Sequence, residues 1–476
     1  MNFTEPLREH ARREPDGVAV ILASGQAVDD ATLDATVDAV GRRLIAAGVQ
    51  PGDVVALSAR RHWRTILLTL ALGRIGASAA PRGHPTELAR AAIEFDANAS
   101  PPSLPLIPTG RDWYQPVRRA GDLGPLTPHG DSNTIAVHFP SSGTTGAAKS
   151  IMVTHDALAH RVASTRQGIP LPPRARTMCI ASPGSGYGFL CVLRTLWDGG
   201  TLVLSNGPAD ASAQPAAHRV EHLTGMPYWL DAIATAMSPG ASRTPALQSV
   251  AFAGGAMPEA MADRIRERLC ERIECVYGAT EIGCAATGDM RELRSVEGAV
   301  GRAVAGVRVD AVDDLGNALP AGASGRLRLS GPGVAQGYAG IASDAFKGDA
   351  FTTTDLGSVG EDGIVRLEGR TSDAIDIAGV RVMPGPIEEA LFAVPGVRDA
   401  AVVGRTGPTG SPQVWAAIVA AREISLDAIE RSLAARRVRA RPSVVARVPR
   451  IPRNDAGKVD RNALEALLSA GTHRRS

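Results

Sequence analysis

Short apolar runs alternate with helical patterns along the first part of the chain. Apolar residues recur at helical spacing from Leu33 to Leu44, and Gly48 follows as a C-terminal cap. The run at 53–59 then predicts a short buried strand, and residues 66–72 predict a core helix. Such alternation predicts an α/β fold with a largely parallel sheet.

The pattern changes twice further along. After about Ala303 it consists of short β segments with turn signals, and beyond Arg370 it indicates a compact α+β unit. We therefore predict a large N-terminal domain (1–370) with parallel-rich sheets and a β subdomain, and a small, mobile C-terminal domain (371–476). The proline-rich stretch at 101–128 is expected to be a surface connection. Further strands are predicted at 134–139, 201–205, 249–253, 273–277, 326–330 and 364–369, and a helix at about 426–437.

Composition excludes several classes of protein. The 476 residues are 44% hydrophobic and 21% charged, which is typical of a soluble globular protein, and the net charge of +2 favours neither nucleic acid nor membrane as a partner. The first residues lack the apolar run of a secretory signal, and the longest apolar stretch, interrupted by Arg74, is too short to span a bilayer. Five cysteines without metal-ligand spacing fit a reducing, cytoplasmic compartment.

Lysine is rare in this chain. Among 51 basic residues only Lys149, Lys347 and Lys458 are lysines, and two of them lie in glycine-containing loops, SSGTTGAAKS (141–150) and RNDAGKVDR (453–461). A lysine ammonium is a compact charge that reaches phosphate or carboxylate oxygens without bidentate geometry. Either lysine alone is equally consistent with an ordinary solvated surface residue. Together, the two loops predict a site for phosphate chemistry.

The first loop follows a predicted strand and suits a polyphosphate. Glycine backbone can curl so that successive N–H groups face one anion, and the hydroxyl side chains and Lys149 add donors. Gly143 and Lys149 fit the P-loop spacing, but Ala148 occupies the second glycine position and no magnesium-binding Asp follows a strand downstream. A P-loop NTPase therefore stays an alternative.

The second interpretation comes from a resemblance. SSGTTGAAKS resembles the phosphate loop of the adenylate-forming superfamily, which contains acyl-CoA synthetases, peptide-synthetase adenylation domains and luciferases. Further motifs of that superfamily follow in the expected order, so the resemblance covers nearly the whole chain. They are AGGAMP (253–258), VYGATEIG (276–283), FTTTDLG (351–357), GRTSDAIDIAGVRVMPGPIEEAL (369–391) and RNDAGKVDR (453–461).

The resemblance implies a site for ATP and Mg²⁺. Thr280 would bond the α-phosphate, Glu281 would hold Mg²⁺, and Lys458 would bridge the acid's carboxylate and the α-phosphate. Asp355 would accept hydrogen bonds from the ribose hydroxyls, and Arg370 would contact the same sugar. Further nucleotide contacts are implied at Ser141, Ser142, Gly143, Thr144, Thr145, Gly146, Lys149, Gly254, Gly255, Ala256, Tyr277 and Gly278.

The acid and its acceptor are less defined. Relatives that activate α-amino acids carry an aspartate where this chain has Gly186, and a buried ammonium without a counter-charge would cost several kcal/mol. We therefore expect a carboxylic acid that is not an α-amino acid, in a pocket lined by Gly186, Tyr187, Tyr228 and Gly283. The resemblance implies transfer to the thiol of coenzyme A or of a separate carrier protein's phosphopantetheine, with Gly379 beside its channel.

Together these patterns predict an acid–thiol ligase whose small domain rotates about a hinge at Ser372 or Asp373. A catalytically silent acyl-adenylate-binding protein is the other alternative. The presence of Lys458, Glu281 and Asp355 argues against it.

Overall fold

A computed structural model of the chain describes residues 1–58, 61–81, 88–93, 104–118, 124–141, 149–205, 208–237, 243–377, 380–406, 411–454 and 457–470. Five predicted phosphate-loop residues, 142–146, lie outside the described residues, as does Gly379. Over the described ranges, no helix is long and apolar enough to cross a membrane.

The helices are α1 (Glu5–Arg13), α2 (Asp30–Ala46), α3 (His62–Arg74), α4 (His155–Gly168), α5 (Gly186–Trp197), α6 (Pro208–Ala211), α7 (Gln214–Ala217), α8 (Pro227–Ala236), α9 (Glu259–Arg268), α10 (Met290–Leu293), α11 (Pro384–Phe392), α12 (Leu426–Ala435) and α13 (Arg461–Ala470). Side-chain hydrogen bonds cap the N-termini of α4 and α5. Thr154 Oγ1 accepts from Ala157 N–H at the start of α4, and Ser185 Oγ accepts from Gly188 N–H at the start of α5.

The strands are β1 (Val18–Ile21), β2 (Ala27–Asp29), β3 (Val54–Leu57), β4 (Ser78–Ala80), β5 (Ala91–Ile93), β6 (Leu106–Ile107), β7 (Ile135–Pro140), β8 (Ser150–Thr154), β9 (Arg176–Cys179), β10 (Thr201–Val203), β11 (His222–Gly225), β12 (Ser249–Ala253), β13 (Ile273–Ala279), β14 (Gly283–Asp289), β15 (Ala299–Ala303), β16 (Arg308–Val312), β17 (Gly325–Ser330), β18 (Gly337–Tyr338), β19 (Phe346–Lys347), β20 (Ala350–Val359), β21 (Ile364–Arg370), β22 (Ile375–Ile377), β23 (Val380–Val382), β24 (Val397–Thr406), β25 (Pro412–Ala420) and β26 (Val444–Arg447).

The largest sheet combines a parallel and an antiparallel part. Its order is β16–β17–β20–β21–β15–β14–β13–β12–β11–β9–β10–β1–β2, with β19 beside β20. The strands from β13 to β1 in this order are parallel, and every residue of β12 is buried, as expected for a strand covered on both faces. The carboxyl ends of β12 and β13 therefore open at one edge, where ligands of α/β sheets bind.

The second sheet carries the predicted phosphate loop. Its order is β18–β8–β7–β4–β3–β5–β6, and β7 pairs with β8 in antiparallel fashion. The loop thus joins two strands of a hairpin, whereas a P-loop joins a strand to a helix. This connection contradicts the P-loop alternative.

The small domain has its own core. Strands β24, β25 and β26 form one sheet, covered by α11 and α12 over a cluster that includes Ile387, Val402 and Leu433. The sheet packs on α13 through Ala417 and Leu464. The fold class predicted from the sequence is confirmed. The expectation of a surface connection at 101–128 was wrong in part, since that stretch contains β6 and the buried Tyr114, which packs in the hydrophobic core with residues of α2 and α3.

Candidate active site

The described ends of the phosphate loop are tied together. The Ser141 N–H donates to the Lys149 carbonyl at 2.8 Å, and the Lys149 N–H donates to Ser141 Oγ at 2.9 Å. Lys149 Nζ lies 4.7 Å from the ring centroid of Tyr338 on β18, within cation–π distance. The hairpin thus fixes the neck of the loop and directs one ammonium toward Tyr338.

Tyr338 links this ammonium to the predicted metal ligand. Its hydroxyl donates to Glu281 Oε1 at 2.9 Å. Glu281 is only 9% exposed and has no ion-pair partner within the part of the chain that the structure describes. Burial raises its pKa, and the Tyr338 hydroxyl and the charge of Arg161 oppose that rise. A buried carboxylate without a cation of its own fits Mg²⁺, which takes one or two carboxylates and completes its shell with phosphates and water.

The turn between β13 and β14 carries Thr280 and Glu281, and Arg161 supports it from α4. Arg161 Nη1 donates to the Thr280 carbonyl at 3.0 Å and Nε donates to the Gly333 carbonyl at 2.8 Å. The arginine is buried, which lowers its pKa to about 10. Its stem occupies the space above Gly283, where a Cβ would lie 2.9 Å from Arg161 Cγ. Sequence reasoning missed this residue.

The glycines at this turn are needed by the backbone. A Cβ on Gly278 would lie 1.9 Å from the Gly283 carbonyl oxygen, and Gly283 has a φ of +88°. A side chain at Gly278 would collide with the backbone, and the positive φ of Gly283 is strained for other residues, so both positions require glycine. Gly278 and Gly283 thus form the tight bend that presents Thr280, and their contacts with ligands remain predictions.

Asp355 lies at the centre of the predicted ribose site. It stands opposite Arg370 across β20 and β21, and Arg370 Nε donates to its Oδ1 at 2.8 Å. The Tyr277 hydroxyl donates to Oδ2 at 3.0 Å. Tyr277 is 6% exposed and packs in the core beneath the β subdomain, and burial followed by the charge of Asp355 raises its pKa. Each carboxylate oxygen keeps a further lone pair for a ligand hydroxyl.

Lys458 reaches this site from the small domain. A Cβ on Gly254 would lie 3.8 Å from Lys458 Cε, and Gly254 adopts a φ of +81° in the exposed turn after β12 that also contains Gly255 and Ala256. The Lys458 ammonium makes neither a hydrogen bond nor an ion pair with any described residue. Burial, followed by the charge of Arg370, lowers its pKa to about 8, while Asp355 and Glu281 oppose that fall.

Contacts with α8 hold the lysine turn in place. Arg453 Nη2 bonds both carboxylate oxygens of Asp399 at 2.7 and 3.0 Å, and the guanidinium lies 4.7 Å from the ring centroid of Tyr228. A Cβ on Gly457 would lie 3.2 Å from Trp229 Nε1. Tyr228, predicted to line the acid pocket, thus packs against the small domain.

Two contacts flank Ser372, near the predicted domain boundary. The Thr371 N–H donates to the Thr354 carbonyl of β20 at 2.8 Å. Two residues later, Asp373 Oδ2 lies 3.6 Å from Nη2 of Arg461, at the start of α13. Ser372 stands between these two anchors.

Gly186 places the start of α5 directly against the turn that carries Thr280. A Cβ on Gly186 would lie 2.8 Å from Thr280 Cγ2. Behind it, the Tyr187 ring packs among Ala253, Val276 and Cys284. The structure therefore brings Gly186, Tyr187 and Thr280 together at the carboxyl edge of the parallel strands.

The arrangement forms a candidate nucleotide site, and sequence comparison identifies the family of the chain. Residues 7–339 match the AMP-binding enzyme family, and residues 386–458 match the AMP-binding enzyme C-terminal domain. The chain belongs to this family of adenylate-forming proteins.

Individual relatives agree with this assignment. The chain is 31% identical over 504 residues to the isonitrile lipopeptide synthase of Streptomyces coeruleorubidus, covering 97% of this chain but 33% of that relative. It thus spans about a third of that relative's length. It is 27% identical to a salicylyl-CoA synthase / salicylate adenylyltransferase of Streptomyces sp, with 97% and 93% of the two chains covered. Its fold matches ATP-bound MatB of Rhodopseudomonas palustris with a TM-score of 0.84 at 24% identity, covering 99% of each chain.

Proposed function

We propose that this protein is an ATP-dependent acid–thiol ligase. It joins a carboxylic acid to AMP with release of pyrophosphate, and then transfers the acyl group to a thiol. The observation that carries the proposal is the Lys458 ammonium, which is half-buried and without a direct partner among the described residues, beside the open glycine turn and within electrostatic reach of Asp355 and Glu281. A desolvated cation of this kind suits an anionic ligand.

In the first step, a carboxylate oxygen attacks the α-phosphorus of ATP, and the bond from that phosphorus to the bridging oxygen of pyrophosphate breaks. Both reactants are anionic, so their approach is opposed by like charge. Lys458 offsets the charge that accumulates at the α-phosphate, and Thr280 supplies a hydroxyl from the turn supported by Arg161. Electrostatic groups of this kind are worth about 10²–10³ in kcat when one is removed.

The remaining residues bind and orient the nucleotide. Asp355, held between Tyr277 and Arg370, accepts from the ribose hydroxyls, and the exposed turn at 254–256 leaves room for the base. The hairpin that ties Ser141 to Lys149 presents the phosphate loop. Glu281 would hold Mg²⁺, which when bound would supply positive charge to the phosphates. The ATP-bound state of MatB, which shares the fold, supports this assignment.

In the second step, a thiol attacks the acyl carbonyl and AMP leaves. The salicylyl-CoA synthase relative supports coenzyme A as acceptor, while the isonitrile lipopeptide synthase relative supports a carrier protein's phosphopantetheine. We propose rotation of the small domain about Ser372 or Asp373 between the two steps, since the large-domain and small-domain anchors flank this point. The acid is not an α-amino acid, because Gly186 offers no carboxylate to its ammonium.

The test is exchange of labelled pyrophosphate into ATP over a panel of carboxylic acids, with α-amino acids included. We expect exchange that depends on an acid without an α-ammonium. Phosphate release without any acid would indicate an NTPase instead. Tight binding of an acyl-sulfamoyl adenosine without exchange by any acid would indicate a catalytically silent binding protein.

A further inference from the structure

A small, partly open cavity lies between α5 and the parallel strands, next to the proposed reaction site. Its volume is about 30 Å³, and Tyr187, Leu190, Cys191, Val276 and Cys284 are among the residues that line it. A cavity needs about 10–15 Å³ of such volume to hold one water molecule, so this one has room for a substituent of one or two heavy atoms. Its walls are mainly apolar carbon and thiol sulfur.

The cavity extends along one face of α5, from the proposed reaction site toward the interior. Tyr187, Cys191 and Arg194 are four and three residues apart, which places them on the same face over about two turns. The residue before Tyr187 is Gly186, which abuts Thr280. An acid with its carboxylate near Thr280 therefore directs its body past Gly186 toward Tyr187.

The Tyr187 hydroxyl is buried and makes no hydrogen bond with any of the described residues. Burial raises its pKa well above the ordinary value, so it remains a protonated donor. Several other polar groups of the cavity have partners within the protein, although Arg194 Nε makes no hydrogen bond with any described residue. Thr177 and Thr195 bond each other at 2.6 Å, His222 bonds Ser249 at 2.5 Å, and Arg194 bonds the Ile169 carbonyl and lies 3.5 Å from Asp198.

A buried hydrogen-bond donor without an acceptor costs free energy. Such a donor in a ligand cavity is explained if a bound ligand supplies the acceptor. We propose that Tyr187 determines acid specificity by donating a hydrogen bond to an oxygen substituent of the acid. The substrate is then a compact, otherwise apolar acid with a hydroxyl or oxo group, such as a hydroxyaryl acid. This inference rests on the proposed function and names the substrate class of the same site.

The experiment uses benzoate and its three monohydroxy derivatives with the wild-type protein and Tyr187→Phe. Affinity is measured by calorimetry, and kcat/KM by pyrophosphate exchange. We expect at least one hydroxy acid to exceed benzoate by about tenfold in both measurements, and the ratio to fall to about one in Tyr187→Phe. Benzoate, which lacks the substituent, is the reference within each protein, so a change common to all four acids in Tyr187→Phe does not alter the ratio.

Tyr114→Phe is the matched control. Its hydroxyl donates to Thr109 Oγ1 at 2.9 Å in the core of the large domain, so its loss should leave the ratio unchanged. The inference is overturned if wild type binds benzoate as tightly as every hydroxybenzoate, or if Tyr187→Phe preserves the ratio, as it would where the hydroxyl pairs with a bound water only. Preferential binding of a hydroxy acid without exchange would support Tyr187 and overturn the proposed ligase chemistry alone.

Discussion

Replacing Gly186 by alanine should impair catalysis through a single added methyl group. The new Cβ would lie 2.8 Å from Cγ2 of Thr280 and 3.4 Å from its Oγ1. Contacts below 3.0 Å essentially do not occur for real Cβ atoms, so the turn and α5 must separate by several tenths of an ångström. A threonine side chain is stiff about χ1, and rotating it would carry the hydroxyl away from the α-phosphate.

The magnitude follows from that displacement. A misplacement of about 1 Å at a reacting group can cost about 10²-fold in rate, so we expect kcat of Gly186→Ala to fall about 10–100-fold. Stability should change little, because alanine is favoured over glycine in a helix by about 1 kcal/mol and this offsets part of the crowding. ATP affinity should be nearly preserved, since Asp355 and Arg370 lie on other strands.

Pyrophosphate exchange, ATP calorimetry and thermal unfolding together test this prediction. Gly385→Ala is the matched control, because Gly385 also lies in the first turn of a helix and a Cβ there would meet nothing within 4 Å. Thr280→Ser removes Cγ2 and keeps the hydroxyl, so adding it to Gly186→Ala should restore much of the lost rate. Full activity of Gly186→Ala, or no recovery in the double variant, would refute the reasoning.

Two further predictions concern nucleotide binding and pH. Asp355→Asn removes the charge that Tyr277 and Arg370 share, and we expect the ATP Kd to rise about tenfold or more by calorimetry; an unchanged Kd would exclude the ribose contact. The pKa of Lys458 is about 8 in the free protein, so its cationic form is lost as pH rises through that value. The kcat/KM for ATP, which reports the free enzyme, should therefore fall above about pH 8 and stay flat there in Lys458→Arg; a flat wild-type profile to pH 9.5 would contradict this.

The sequence predicted the architecture well because strand and helix patterns depend on local spacing. The strand at 249–253 is observed as β12, and the run at 134–139 as β7. The proline-rich stretch was less predictable, since burial of Tyr114 depends on packing against distant helices. The two-strand setting of the phosphate loop follows from the pairing of β7 with β8, which spacing alone does not reveal.

The site residues that sequence reasoning missed are those defined by distant partners. Arg161 in α4 looks like a solvated helical charge, yet it is buried against carbonyls more than a hundred residues away. Tyr338 and Arg453 likewise gain their roles from Glu281 and Tyr228. The quoted motifs contain Arg453 but neither Arg161 nor Tyr338, and they reveal none of the contacts between elements through which these three residues act.

One measurement tests most directly whether a lysine of the small domain and the turn of the large domain act on one nucleotide. It compares acid-dependent pyrophosphate exchange with ATP Kd in Lys458→Ala, using the exposed Lys347→Ala as control. We predict that exchange falls about 10²–10³-fold in Lys458→Ala while ATP Kd changes by no more than a few-fold, and that Lys347→Ala resembles wild type. Exchange at the wild-type rate, or a loss of ATP affinity as large as the loss of exchange, would contradict the account.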